Sequence, residues 1–112
     1  MEDDQLTAVL HAVSDPTRRQ LLARLTSGEL GVMELAESFP ISQPAISRHL
    51  KVLTDAGLIR RRQEGTRRPC IVVPEGLRPI TEWLTDLHRA LSANYDRLDE
   101  VLASDQSERN TP

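Results

Sequence analysis

The 112 residues predict a mainly helical chain with one small β-hairpin, in the order α-α-α-α-β-β-α. Three observations carry that expectation. Apolar residues recur at three- and four-residue spacing through most of the chain, as an amphipathic helix requires. Only residues 58–73 change to two short β-type runs around a Glu-Gly-Thr turn. Prolines stand beside capping residues at helix starts, where their missing N–H costs nothing.

Leu6, Val9, Leu10 and Val13 mark a short first helix over about 6–13. Asp15 is placed to cap the second, with Pro16 at its first position and Leu21, Leu22 and Leu25 as its buried stripe. "TSGEL" ends that helix, "VMELAESF" supplies a third and "PIS" is the turn after it. The next run, "SQPAISRHLKVL", opens a helix over 42–55. Ser42 caps it, and Pro44 lies in the first turn, where backbone N–H groups lack intrahelical partners. Ile46, Leu50 and Leu53 share the core face. Gln43, Pro44, Ser47, Arg48 and Lys51 lie opposite, and His49 falls between the faces beside Ala45 and Ala56. Gly57 ends the helix. "LIRRRQ" and "RRPCIVV" then read as strands, Pro74, Gly76 and Pro79 punctuate a loop, and a last helix spans about 79–103. Residues 1–103 are expected to form one domain, and 104–112 a flexible polar tail.

A chain this short supports one small core, so oligomerisation is a natural source of further burial. With three aromatic residues (Phe39, Trp83, Tyr95), that core must be aliphatic. One cysteine, Cys70, excludes an internal disulfide and fits a reducing compartment. The N-terminus is acidic where a secretory leader is basic, and no apolar run reaches membrane-spanning length. The chain is therefore expected to be cytoplasmic.

The net charge of −3 hides a segregation. Residues 42–68 hold seven basic and two acidic side chains, a net of +5, which leaves −8 on the rest of the chain. Five of those basic residues are arginines of the hairpin, between Arg60 and Arg68. Such a patch argues for a polyanionic partner where the whole-chain balance does not.

Two helices joined by a tight turn, the second polar at its start and followed by a basic hairpin, form a winged helix-turn-helix. A helix fits the major groove of duplex DNA, and its first turns reach base edges. Gln pairs with adenine and Arg with guanine. Wing arginines follow the backbone or enter the minor groove. The Arg60–Arg62 run alternates faces on a strand, so at least one of these arginines serves the scaffold.

The run from "DPTRR" through "SQPAISRHLKVL" to "AGLIRRRQEGTRR" resembles the ArsR-type (arsenic-repressor) family of bacterial winged-helix regulators, over roughly residues 6–100. The resemblance implies a homodimeric repressor of transcription. It places Ser42, Gln43, Pro44, Ser47, Arg48, His49 and Lys51 in the major groove. It makes Arg62, Thr66, Arg67 and Arg68 the DNA-binding residues of the 58–73 wing. The first and last helices would form the dimer interface, beginning with Leu6, Val9 and Leu10.

The last helix carries its own signal. Leu77, Ile80, Leu84, Leu87, Leu91, Asn94, Leu98 and Val101 advance by alternating threes and fours, a heptad seam with one polar member. A helix packed on its own core gives a similar stripe, but this one is longer than so small a domain needs. From Ile80 to Val101 the seam is expected to face a second copy, with Asn94 fixing register.

The sequence departs from the metal-sensing members of that family. The segment matching their cysteine pair holds Gly31, Val32 and Met33, so a thiolate site is absent. Asp86 and His88 resemble half of a second kind of site, but Asp99 stands where another histidine belongs and Leu102 replaces the last ligand. No metal, cofactor or catalytic apparatus is implied: there is no Gly-rich phosphate loop and no nucleophile–base pair. Two alternatives stay open. One is a metal- or thiol-responsive repressor using Asp86 and His88 or Cys70; the other is a winged-helix module for protein contacts. The expected partners are double-stranded DNA and a second copy of the chain. An inducer cannot be read from the residues.

Overall fold

The computed structural model describes the backbone of residues 2–109 and the side chains of residues 4–103. Five helices and a hairpin follow the expected order: α1 Glu2–Val13, α2 Pro16–Leu25, α3 Val32–Ser38, α4 Gln43–Asp55, β1 Ile59–Arg61, β2 Cys70–Val72 and α5 Arg78–Arg109. The described residues divide into two units, with the boundary between Ile80 and Thr81. The hairpin belongs with α1–α4.

In the first unit the helices begin where their caps place them. The Asp15 carboxylate accepts from the Arg18 backbone N–H at 3.0 Å, with Pro16 in the first turn of α2. Ser42 Oγ accepts from the Ala45 N–H at 3.3 Å at the start of α4. Val9, Ala12, Leu21, Leu25, Leu35, Ile46, Leu50, Leu53, Leu58 and Ile59 close into an aliphatic core, as the shortage of aromatics demands.

The strands are shorter than expected. β1 pairs antiparallel with β2 over three residues, Ile59 opposite Val72 and Arg61 opposite Cys70. Beyond them, Glu64 and Arg67 exchange backbone hydrogen bonds of 2.9 Å around Gly65-Thr66. Gly65 has φ 59°, which a two-residue hairpin turn requires of its first central residue. On its other edge β2 donates a bond the sequence did not announce, from Cys70 N–H to the Leu30 carbonyl at 2.8 Å. The wing is thus anchored to the α2–α3 connection.

Three expectations need correction here. Pro74, Gly76 and Pro79 do not punctuate an open loop: Pro74–Leu77 is a 3-10 turn running directly into α5. Gly76 is buried against the end of α4, where an added Cβ would lie 2.1 Å from the Gly57 carbonyl oxygen. Val9 was assigned to the dimer interface, but it is fully buried in this chain's own core. It faces inward because α1 needs Val9 and Ala12 to pack on α2 and α4. Finally, α5 continues to Arg109, so the tail expected from residue 104 is helical as far as that point, and 110–112 lie outside the described residues.

The second unit is the rest of α5. The whole helix has 32 residues, about 48 Å at the helical rise. Leu84, Leu87, Leu91, Leu98 and Val101 are all exposed, as are Trp83, Tyr95 and Leu102. Ile80, in the first unit, is half-buried against the core and so only shares in the seam.

Candidate nucleic-acid interface

α3 and α4 make the helix-turn-helix, with Phe39–Ser42 as the connection. The outer face of α4 is built as its sequence implies. Ile46, Leu50 and Leu53 turn into the core, which forces Gln43, Pro44, Ser47, Arg48 and Lys51 outward, all exposed. Among the described residues, Gln43, Ser47 and Arg48 have no hydrogen-bonding or ionic partner. Lys51 is tied to Asp55 one turn on, at 3.1 Å, a solvated pair of little strength. The free donors therefore lie in the first two turns of α4, beside its exposed backbone N–H groups.

His49, assigned with this face, turns away from it. Its Nδ1 lies 3.3 Å from Arg18 Nη1 and 4.0 Å from the Asp15 carboxylate. Arg18 is itself buried, 9% exposed. It donates from Nε to the Ala12 carbonyl at 2.7 Å and from Nη2 to the His11 carbonyl at 3.0 Å. One guanidinium thus closes the C-terminal end of α1 and holds the imidazole of α4. Asp15 completes the cluster. Its carboxyl is held below the ordinary value chiefly by the Arg18 backbone N–H, with attraction from His49 and Arg18 adding to it and desolvation opposing it. His49 thus has local partners in Arg18 and Asp15, unlike the free donors of the outer face. Its position between the two faces of the wheel was the only sign of this in the sequence.

The wing arginines divide into two groups. Arg62 is paired with Glu29, from the α2–α3 connection, and with Glu64 at 2.9 Å. Arg67 is paired with Glu34 of α3 at 2.5 Å. Arg61 donates from Nε to the Arg68 carbonyl at 2.9 Å and braces the hairpin. Among the described residues, Arg60 and Arg68 have no carboxylate partner, and Thr66 is exposed at the tip. The alternation along β1 did predict arginines with scaffold duties. The partners from outside the hairpin, Glu29 and Glu34, were missed, because each lies 33 positions from its arginine.

Cys70 is fully buried beneath the wing, and burial pushes its thiol up, partly offset by Arg61 and Arg68. Among the described residues no three His, Cys, Asp or Glu side chains group closely enough to hold a metal ion. No described helix is long and apolar enough to cross a membrane.

Comparison with known proteins agrees with this construction. The family described as "Bacterial regulatory protein, arsR family" matches residues 15–61. The HTH-type transcriptional regulator Rv2034 of Mycobacterium tuberculosis is 47% identical over 78 residues, 70% of this chain and 70% of that protein. The crystal structure of an ArsR family transcriptional regulator is similar at TM-score 0.74 and 33% identity, over 80% of this chain and 93% of that one. The solution structure of a homodimeric winged helix-turn-helix DNA-binding domain from Mycobacterium bovis is similar at TM-score 0.63 and 27% identity, over 77% of this chain and 80% of that one. The capped polar helix with a short hairpin directly after it is a winged helix-turn-helix, and the chain belongs to the arsR family of bacterial regulatory proteins.

Proposed function

We propose that this chain is a homodimeric transcriptional repressor that binds a near-palindromic DNA operator through α4 and the wing. The observation that carries the reading is the outer face of α4. Gln43, Ser47 and Arg48 are exposed and unpartnered in its first turns, on a helix fixed from behind by three buried aliphatic residues. Such a helix presents directional donors to base edges without first having to order itself. Arg68 and Thr66 extend the contact along the phosphates.

Dimerisation is supported by α5. An exposed stripe of Leu84, Leu87, Leu91, Leu98 and Val101 is too long and too apolar to stand alone, and an identical stripe is self-complementary. Asn94 in the middle of the seam fixes register. Leu6 and Leu10 of α1 remain available to extend the interface; Val9 does not. The protein is cytoplasmic on this reading, and repression follows protein concentration or an inducer rather than a soft metal ion, for which the thiolates are missing.

The experiment is selection of bound fragments from random duplex DNA. Enrichment of two inverted half-sites, centred about one DNA turn (roughly 34 Å) apart, is expected. A pool that stays unenriched after repeated rounds would sink the reading.

A further inference from the structure

The geometry points to Glu34, and with it Glu29, as affinity-setting residues of the interface: internal carboxylates that compete with DNA phosphate for the wing arginines. The inference rests on the DNA-binding reading above. Arg62 and Arg67 stand on opposite sides of the hairpin turn, and each is met by a carboxylate from outside the hairpin. Arg68, next in the chain, is not. The basic wing that dominates the local charge count is therefore partly neutralised before DNA arrives.

Both Arg67 and Glu34 are substantially exposed, 61% and 44%, so their pair is weak and open to exchange. When Arg67 leaves Glu34 for a phosphate, one counterion is released from DNA while the freed carboxylate regains its own. The exchange contributes little to the salt dependence that a new phosphate contact normally brings. The competition holds affinity below what five wing arginines would otherwise supply, for every DNA sequence alike.

Glu34 can be altered without disturbing the helix it starts. Its Oε1 also accepts from the Gly31 N–H at 3.4 Å, closing the N-terminal turn of α3, and glutamine serves that role as well. Glu37, exposed on the same helix and unpaired among the described residues, provides a charge-matched control.

The test is a salt series of binding titrations on the selected duplex and on a scrambled one. The proteins are wild type, Glu34→Gln, Glu37→Gln, Arg67→Ala and the Glu34→Gln/Arg67→Ala double variant, with thermal melts confirming each fold. Glu34→Gln should raise affinity for both duplexes about three- to tenfold and steepen the salt slope by about 0.9, the value of one phosphate contact. Glu37→Gln should change affinity less than twofold, and Glu34→Gln should do no more than that once Arg67 is alanine. Equal effects of Glu34→Gln and Glu37→Gln, or an undiminished effect of Glu34→Gln in the Arg67→Ala background, overturn the inference alone. A wild-type protein that cannot distinguish the selected from the scrambled duplex overturns both this inference and the reading beneath it.

Discussion

Arg18 Nη1 and His49 Nδ1 meet at 3.3 Å across 31 positions of sequence, so that one imidazole ties α2 to α4. The same guanidinium closes the carbonyls of Ala12 and His11. Arg18→Ala would leave the buried Ala12 carbonyl without its donor and His49 without its partner, while the His11 carbonyl keeps the Ser14 N–H and Oγ. It is expected to lower folding stability by about 2–4 kcal/mol in urea titration. Arg18→Lys should recover less than half of that, because an ammonium cannot reach three acceptors at once. Full recovery by lysine would show that only the charge matters.

The α5 seam makes the next prediction. Leu91 is 41% exposed at the centre of the stripe, and Leu91→Glu places a charge there. Sedimentation should then report a monomer, with specific DNA binding lost because two half-sites can no longer be engaged together. The winged unit should keep its helical signal. A dimer mass unchanged by Leu91→Glu would return the stripe to some other use.

Much of this was legible in the residues because it is local. Asp15 and Ser42 cap helices in the structure as their spacing to Pro16 and Pro44 implies, and Gly65 turns the hairpin. The two faces of α4 follow from periodicity alone. What sequence left out depends on contacts between distant segments. Val9 and Leu10 look alike on the wheel of α1, and only packing on α2 and α4 decides that the first is core. Gly76 reads as a loop residue until the approach of the Gly57 carbonyl explains it. The Glu29 and Glu34 carboxylates on Arg62 and Arg67 carry no local signature at all. The length of α5 was underestimated because its last turns are polar, and polarity resembles fraying.

Asp15 gives a pH dependence. Its folded carboxyl lies below its ordinary value, so it stabilises α2 above the unfolded value of 3.8 and loses that contribution as pH falls through the folded one. Thermal melts from pH 6 down to pH 2.5 should show a loss of Tm in the acid range. Asp15→Asn should keep the cap near neutrality and flatten that loss, since asparagine caps as well as aspartate. An equal acid loss in Asp15→Asn would assign it to other groups.

Cys70 is expected to be inert in the folded protein. It is fully buried, and its thiol is held above the usual range by burial. Alkylation near pH 8 should run at least about a hundredfold slower than in denaturant, in keeping with the scarcity of open states in a stable domain. Rapid native labelling would reopen the thiol-responsive alternative.

The most direct measurement is the binding of Arg48→Ala to the selected operator and to scrambled duplex, at one salt concentration. If α4 reads bases, loss of Arg48 costs about 1–3 kcal/mol on the operator and relaxes preference at one base pair of each half-site. On scrambled duplex the loss should be much smaller. An operator preference that survives Arg48→Ala intact, with both duplexes weakened equally, would contradict base reading by this helix and leave Arg48 as a phosphate contact.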